Sequence, residues 1–161
     1  MKIEVRENDD YVIFLNKDYL GGIDLSNKNM VEPYFKNLFL FMKKYFIPDI
    51  NGYYDVIIYQ DKSYGFVVEL YKLDMDFFDI SDDKIDMKIT FKLDDEFLYE
   101  IEDIFFIESL LDKFIIYRYN DKYYLRSSEL SEKMKLILCE GSKIIYGSTA
   151  NNIIKNKNLI L

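Results

Sequence analysis

The apolar residues change their spacing along the chain, and that change limits the fold more than any other feature. Short runs that alternate with polar residues, separated by polar turns, flank a single long stripe at three- and four-residue intervals. Residues 2–6 and 11–15 read as strands around the polar turn Glu7-Asn8-Asp9-Asp10, and Gly21-Gly22 marks a loop. The stripe follows: Val31, Tyr34, Phe35, Leu38, Phe41, Met42 and Tyr45 share one helical face, with Lys28, Lys36, Lys43 and Lys44 mostly off it. Asn29 with Glu32 fits a capping pair, Pro33 suits a helix start, and Pro48 stops the helix. Beyond it, residues 53–60 and 65–72 flank Asp61-Lys62-Ser63-Tyr64 as a hairpin. Residues 84–92 alternate cleanly, with Ile85, Met87, Ile89 and Phe91 on one side. Residues 97–101, 114–119, 123–126, 136–139 and 143–146 read as further strands, and 102–113 and 149–156 as helical.

The pattern predicts an α+β fold of mostly antiparallel sheet, with one long amphipathic helix and one or two shorter ones. A polar stretch divides a ββαββ lobe, residues 1–73, from an α+β lobe, residues 84–161, with an acidic connector over 74–83. Lobes this small approach the lower size limit for folding alone, so packing as one domain is the alternative.

The 161 residues include no histidine and a single cysteine, Cys139. The absence of imidazole excludes Ser-His-Asp and Cys-His nucleophiles, His-bearing zinc sites and an imidazole pH switch. One cysteine excludes an intrachain disulfide and a thiolate cluster; Cys139 reads as a small apolar side chain in a strand-like segment. The opening Met1-Lys2-Ile3-Glu4 lacks the apolar core of a signal peptide, and no apolar run approaches a membrane span. The expectation is a cytoplasmic protein with no membrane contact.

With 29 acidic against 21 basic residues the formal charge is −8, which disfavours direct nucleic-acid binding. The acid is concentrated. From Asp74 to Asp103 twelve carboxylates face only Lys84, Lys88 and Lys92, a net −9. Such a field would steer a basic partner protein; solvated turns carry similar charge. Within it Asp74, Asp76, Phe77, Phe78, Asp79, Asp82 and Asp83 interleave carboxylates with aromatic rings, which favours an interface. Their spacing fails the calcium-loop pattern, since Ile85 stands where a bidentate Glu is needed. Pro48-Asp49 with Asp86-Met87-Lys88 superficially matches a metal-dependent nuclease core, but two predicted strands separate the halves. Neither Gly21-Gly22 nor Gly141-Ser142 has the spacing of a phosphate loop. No metal, cofactor or catalytic residue is expected.

Tyr and Phe number 15 and 13, an abundance that accompanies Ile, Asn and Lys as AT-rich coding would produce. One concentration stands out: Tyr117, Tyr119, Tyr123 and Tyr124, with Arg118 and Arg126, form an aromatic and cationic hairpin. These residue types anchor interfaces, and they also stabilise a hairpin through cross-strand contacts.

Several strings resemble the MecA family of bacterial adaptor proteins. Met1-Lys2-Ile3-Glu4, residues 11–15, Asp18-Tyr19-Leu20 and Ile23-Asp24-Leu25 are similar to that family's first strands and connecting segment. Tyr34-Phe35 and Leu38-Phe39 resemble its following helix, and residues 56–70 its next two strands. Phe97-Leu98-Tyr99-Glu100-Ile101-Glu102-Asp103, Tyr117-Arg118-Tyr119 and Lys122-Tyr123-Tyr124-Leu125 resemble its carboxyl-terminal domain. This chain departs from the family in having almost no linker between the halves. The resemblance implies an amino-terminal lobe that holds client and a carboxyl-terminal lobe, around residues 97–146, that docks on a Clp-type unfoldase.

The expected function is a non-catalytic protein-binding module, read through the resemblance as an adaptor delivering clients to a Clp-type unfoldase, with Asp74, Asp76, Phe77, Phe78, Asp79, Asp82, Asp83, Tyr117, Tyr119, Tyr123 and Tyr124 as contact residues. The alternative is an acidic inhibitor that mimics nucleic acid, such as a phage or mobile-element anti-defence protein. A small metal-dependent enzyme ranks third.

Overall fold

A computed structural model describes residues 1–17, 27–74, 85–92, 96–156 and 158–159, and its architecture is α+β with two five-stranded, mostly antiparallel sheets. The chain divides into two compact units: Met1–Ile58 with Phe66–Phe91, and Tyr59–Gly65 with Lys92–Leu161. Among the described residues no helix is long and apolar enough to cross a membrane.

In the first unit, β1 (Lys2–Val5) pairs antiparallel with β2 (Tyr11–Asn16), Lys2 opposite Phe14 and Val5 opposite Tyr11. The turn between them places Asn8 and Asp9 at φ +61° and +58°, a region that short polar side chains tolerate best. Helix α1 (Lys28–Tyr45) comes next, then β3 (Gly52–Asp61), β4 (Gly65–Leu73) and β5 (Ile85–Lys92), giving the sheet order β1-β2-β4-β3-β5. Asp10 ties the first turn to β4, its Oδ1 accepting from the Lys72 amide at 2.9 Å.

The buried line of α1 is Val31, Phe35, Phe39 and Met42, at 1% exposure or less, packed with Ile13, Leu15, Ile58 and Val68. This corrects the stripe read from the sequence: Phe39 belongs to the core, whereas Phe41 and Tyr45 are exposed. At about 100° per residue Phe41 sits roughly a quarter turn off that line. The helix also starts earlier than expected. Asn27 is the N-cap, with Oδ1 accepting from the Asn29 amide at 3.2 Å, so Pro33 lies in the second turn and not the first.

Strand β5 joins the first unit, where the sequence places it in the second lobe. The cause is its apolar side: Met87 is buried, and Ile85, Ile89 and Phe91 pack against the same core as α1. Asp86, Lys88, Thr90 and Lys92 are exposed, so charge guards this edge strand against pairing with another chain.

The second unit contains β6 (Leu98–Ile101), a 3₁₀ segment (Ile104–Lys113), β7 (Ile115–Tyr119), β8 (Lys122–Arg126), α2 (Glu132–Gly141), β9 (Lys143–Ile145), α3 (Gly147–Asn156) and β10 (Asn158–Leu159), in the sheet order β10-β7-β8-β6-β9. Strands β7 and β8 form a hairpin with Tyr119 opposite Lys122. Its two-residue turn, Asn120-Asp121, has φ +48° and +59°, the geometry that matches the twist of antiparallel strands. The helical reading of residues 102–113 corresponds to the 3₁₀ segment; its Ile107 is non-helical at φ −116° and ψ 17°, and buried.

Residues 136–139 were expected as a strand and lie in α2. Leu136 and Leu138 are two residues apart, the spacing of one strand face. Burial follows a four-residue one, with Met134 and Leu138 inside and Leu136 at 66% exposure. Ser131 caps the helix, its Oγ accepting from the Met134 amide at 3.3 Å. Helix α3 opens at Gly147, whose φ of +62° favours glycine and where a Cβ would lie 3.0 Å from Cε1 of Tyr59.

The two aromatic positions of α1 should respond differently to truncation. Phe39→Ala should destabilise the first unit by about 3–5 kcal/mol, and Phe41→Ala by less than about 1 kcal/mol. Chemical denaturation measures both, and the reverse ranking would contradict the assignment of the buried line.

Candidate protein-docking surface

The last turn of α1 carries an aromatic cluster that the first unit does not bury. The Phe41 and Tyr45 rings lie 4.8 Å apart and the Phe41 and Phe46 rings 5.8 Å apart. Their exposures are 47%, 59% and 56%. Local helix geometry builds the group: Phe41 and Tyr45 are four residues apart and therefore neighbours on the helix surface. Phe46 is held next to them as the helix ends, with its amide donating to the Met42 carbonyl at 2.8 Å. The Ile47 amide donates to the same carbonyl at 2.8 Å, and Ile47 packs against the core. The chain therefore turns inward at Ile47 while Phe46 remains outside.

Charge frames the cluster on one side. Lys43 and Lys44 occupy the last turn of α1, where cations complement the helix dipole. The Lys44 ammonium sits 5.1 Å from the centre of the Tyr45 ring, within cation–π range. A surface of adjacent rings edged by lysine is suited to an apolar segment carrying carboxylates. The lack of a buried partner for these rings has a cost in water that a protein contact would remove.

The residues expected from the sequence to contact a partner fare differently. Asp74 is exposed beyond the end of β4. Asp76, Phe77, Phe78, Asp79, Asp82 and Asp83 lie outside the described residues. The tyrosine hairpin splits by face. Tyr117 and Tyr124, directly opposite each other on β7 and β8, are core side chains at 2% and 5% exposure. They pack inward with Leu98, Ile145, Ala150 and Ile153, which removes them from a contact surface. Tyr119 and Tyr123 are half-buried. Of the nuclease-like residues, Asp86 is exposed on the polar side of β5, with the Lys36 ammonium 3.9 Å from its Oδ1. Among the described residues no three His, Cys, Asp or Glu side chains converge as a metal site requires.

In the second unit the hairpin tip Tyr59–Gly65 is organised by one carboxylate. Asp61 Oδ1 accepts from the Ser63 and Tyr64 amides at 2.8 Å each, and Oδ2 accepts from the Phe97 amide at 3.0 Å. Ser63 Oγ donates to the Ser127 carbonyl at 3.0 Å. The Tyr64 ring packs 5.9 Å from Phe97 and 6.4 Å from Tyr99. Beside this group Arg126 is held by Glu96 and, at 3.5 Å, donates to the Tyr117 hydroxyl. That hydrogen bond is the main reason its pKa stands above the ordinary arginine value, and it remains cationic at every accessible pH.

Comparison with protein-family models, with curated proteins and with solved structures yields no match.

Burial, followed by the nearby Glu100 carboxylate, pushes the Tyr124 hydroxyl up to about 12. An unfolded chain would lose that proton near pH 10, so the folded state binds more protons between the two values, and stability falls as pH rises through this window. The contribution is on the order of 2 kcal/mol. Denaturation midpoints measured from pH 9 to 12 should fall less steeply for Tyr124→Phe than for the wild type; equal slopes would contradict the assignment.

Proposed function

We propose that the chain is a non-catalytic protein-binding module whose principal anchor is the cluster of Phe41, Tyr45 and Phe46. One observation carries the reading: the Phe41 ring contacts both Tyr45 and Phe46, and all three rings are left about half exposed at the end of a helix whose Val31, Phe35, Phe39 and Met42 fill a core. Aromatic side chains bury about 150–250 Å² each, and a few such residues supply most of the energy in an interface. Lys43 and Lys44 add charge that favours a partner segment with carboxylates and apolar side chains.

Within this reading, the resemblance to the MecA adaptors makes a Clp-type unfoldase the first partner to test. An adaptor of that kind couples client capture to ATP turnover, and this chain would act by surface complementarity alone. The nucleic-acid-mimic alternative rests mainly on residues 76–83, which lie outside the described residues.

A photo-crosslinking amino acid placed at Phe46 and, as a control, at Met30 tests the anchor, because Met30 is similarly exposed at 53% on the same helix. With purified unfoldase, the Phe46 position should give one discrete adduct, weakened about tenfold or more by Phe41→Glu, and the Met30 position should give none. Wild-type protein should also raise the unfoldase's ATP turnover, with Phe41→Glu losing the effect. Equal adducts at both positions, or a Phe41→Glu variant that stimulates normally, would overturn the assignment.

A further inference from the structure

The second unit holds a cleft of about 450 Å³ that the docking surface does not use. This volume lies in the range of small-ligand pockets. Its lining joins two apolar side chains, Phe97 and Ile115, to the cations Lys62, Lys113 and Arg126 and the carboxylates Asp61 and Glu96. Phe97 immediately precedes β6 and Ile115 opens β7, with Ile115 leaving 44% of its surface exposed.

The carboxylates face inward in the chemical sense. Asp61 spends both oxygens on three backbone N–H groups, and Glu96 is bonded to Arg126. Two of the cations, Lys113 and Arg126, are less committed. Among the described residues Lys113 pairs with its neighbour Asp112 at 3.1 Å, with both side chains more than half exposed, an arrangement that contributes little. Arg126 gives one N–H to Glu96 and one to Tyr117, and its remaining N–H groups belong to a cleft-lining guanidinium that two partners have already fixed in place. The lining thus sets three cations beside two carboxylates on a chain whose net charge is −8.

That combination selects a ligand class. A guanidinium recognises planar oxyanions, carboxylate and phosphate alike. Glu96 and Asp61 repel a dianion more than a monoanion, which disfavours phosphate. Phe97 is 2% exposed, so Ile115 is the apolar surface of this pair, and it rewards a short apolar body attached to the anion. We propose that this cleft binds an apolar monocarboxylate, with the anion on Arg126 and Lys113 and the apolar body against Ile115. The same chemistry is offered by a free short-chain acid and by the free carboxyl end of a peptide with an apolar last residue.

Isotope-labelled full-length protein titrated with five probes distinguishes the possibilities: hexanoate, hexanamide, inorganic phosphate, and acetyl-Gly-Gly-Leu as acid and as amide. The proposal expects saturable shifts of the Phe97, Ile115 and Arg126 amide resonances with hexanoate or the peptide acid, and none with the two amides. Tighter binding of the peptide acid identifies a chain end as the source, and tighter binding of hexanoate identifies a free acid. Arg126→Gln should weaken binding by about tenfold or more. Because Arg126 also holds Glu96 and Tyr117, Lys113→Gln serves as a second variant that leaves those bonds intact, with a several-fold weakening expected. Amides that bind as well as acids, phosphate that binds more tightly than either acid, absence of shifts at these positions, or Lys113→Gln with unchanged affinity would each overturn the proposal.

Discussion

The Asp61 carboxylate is the constraint on which the second unit depends. A two-oxygen acceptor with three backbone N–H donors leaves little freedom in the segment it holds. Hydrogen bonds to a charged acceptor contribute about 1.5–3 kcal/mol each, and here they close the Ser63-Tyr64 turn while fixing the amide of Phe97, 36 residues later. Once Phe97 is placed, its ring meets Tyr64, and its neighbour Glu96 reaches Arg126. Tyr59, two residues before Asp61, packs its ring 5.0 Å from Tyr146, where Gly147 leaves room for it. The aromatic core of the unit and the lining of its cleft therefore share one polar origin.

The first unit solves a different problem. Its core is built by apolar burial, with β2 enclosed along nearly its whole length and α1 covering the sheet through Val31, Phe35, Phe39 and Met42. A helix presents more of its circumference than a sheet can cover. The excess here is aromatic at the last turn of α1, and aromatic rings in contact with water carry the largest gain from a partner. Stability and binding thus draw on the same residue types, separated by a quarter turn of helix.

Much of the architecture was legible because periodicity and turn chemistry agreed. The hairpin around Asn120-Asp121, the strand over 85–92 and the hairpin around Asp61 all combined alternation with a turn of suitable residues. Failures arose where two periods overlapped. In α2, Leu136, Ile137 and Leu138 satisfy both a strand and a helix, and only the Ser131 cap and the burial of Met134 with Leu138 separate them. On α1, Phe39 and Phe41 are equivalent in composition, and tertiary packing alone decides which faces the core. The spacing Val31–Phe35–Phe39 was the available signal, and the denser string of aromatic residues obscured it. The unit to which β5 belongs was hidden because sheet order is a long-range property. The tyrosine hairpin was placed correctly as a hairpin, but which tyrosines point inward depends on register with β6 and β9. Arg126 and Glu96 are 30 residues apart, and only the fold brings them together.

Hydrogen exchange at the Phe97 amide tests this account most directly, since that group precedes β6 and donates to the Asp61 carboxylate. In Asp61→Ala the amides of Ser63, Tyr64 and Phe97 should exchange about tenfold faster or more, while those of β1 and β2 remain as in the wild type. Unchanged exchange at all three amides in the folded variant would show that the turn and the cleft are held by something else.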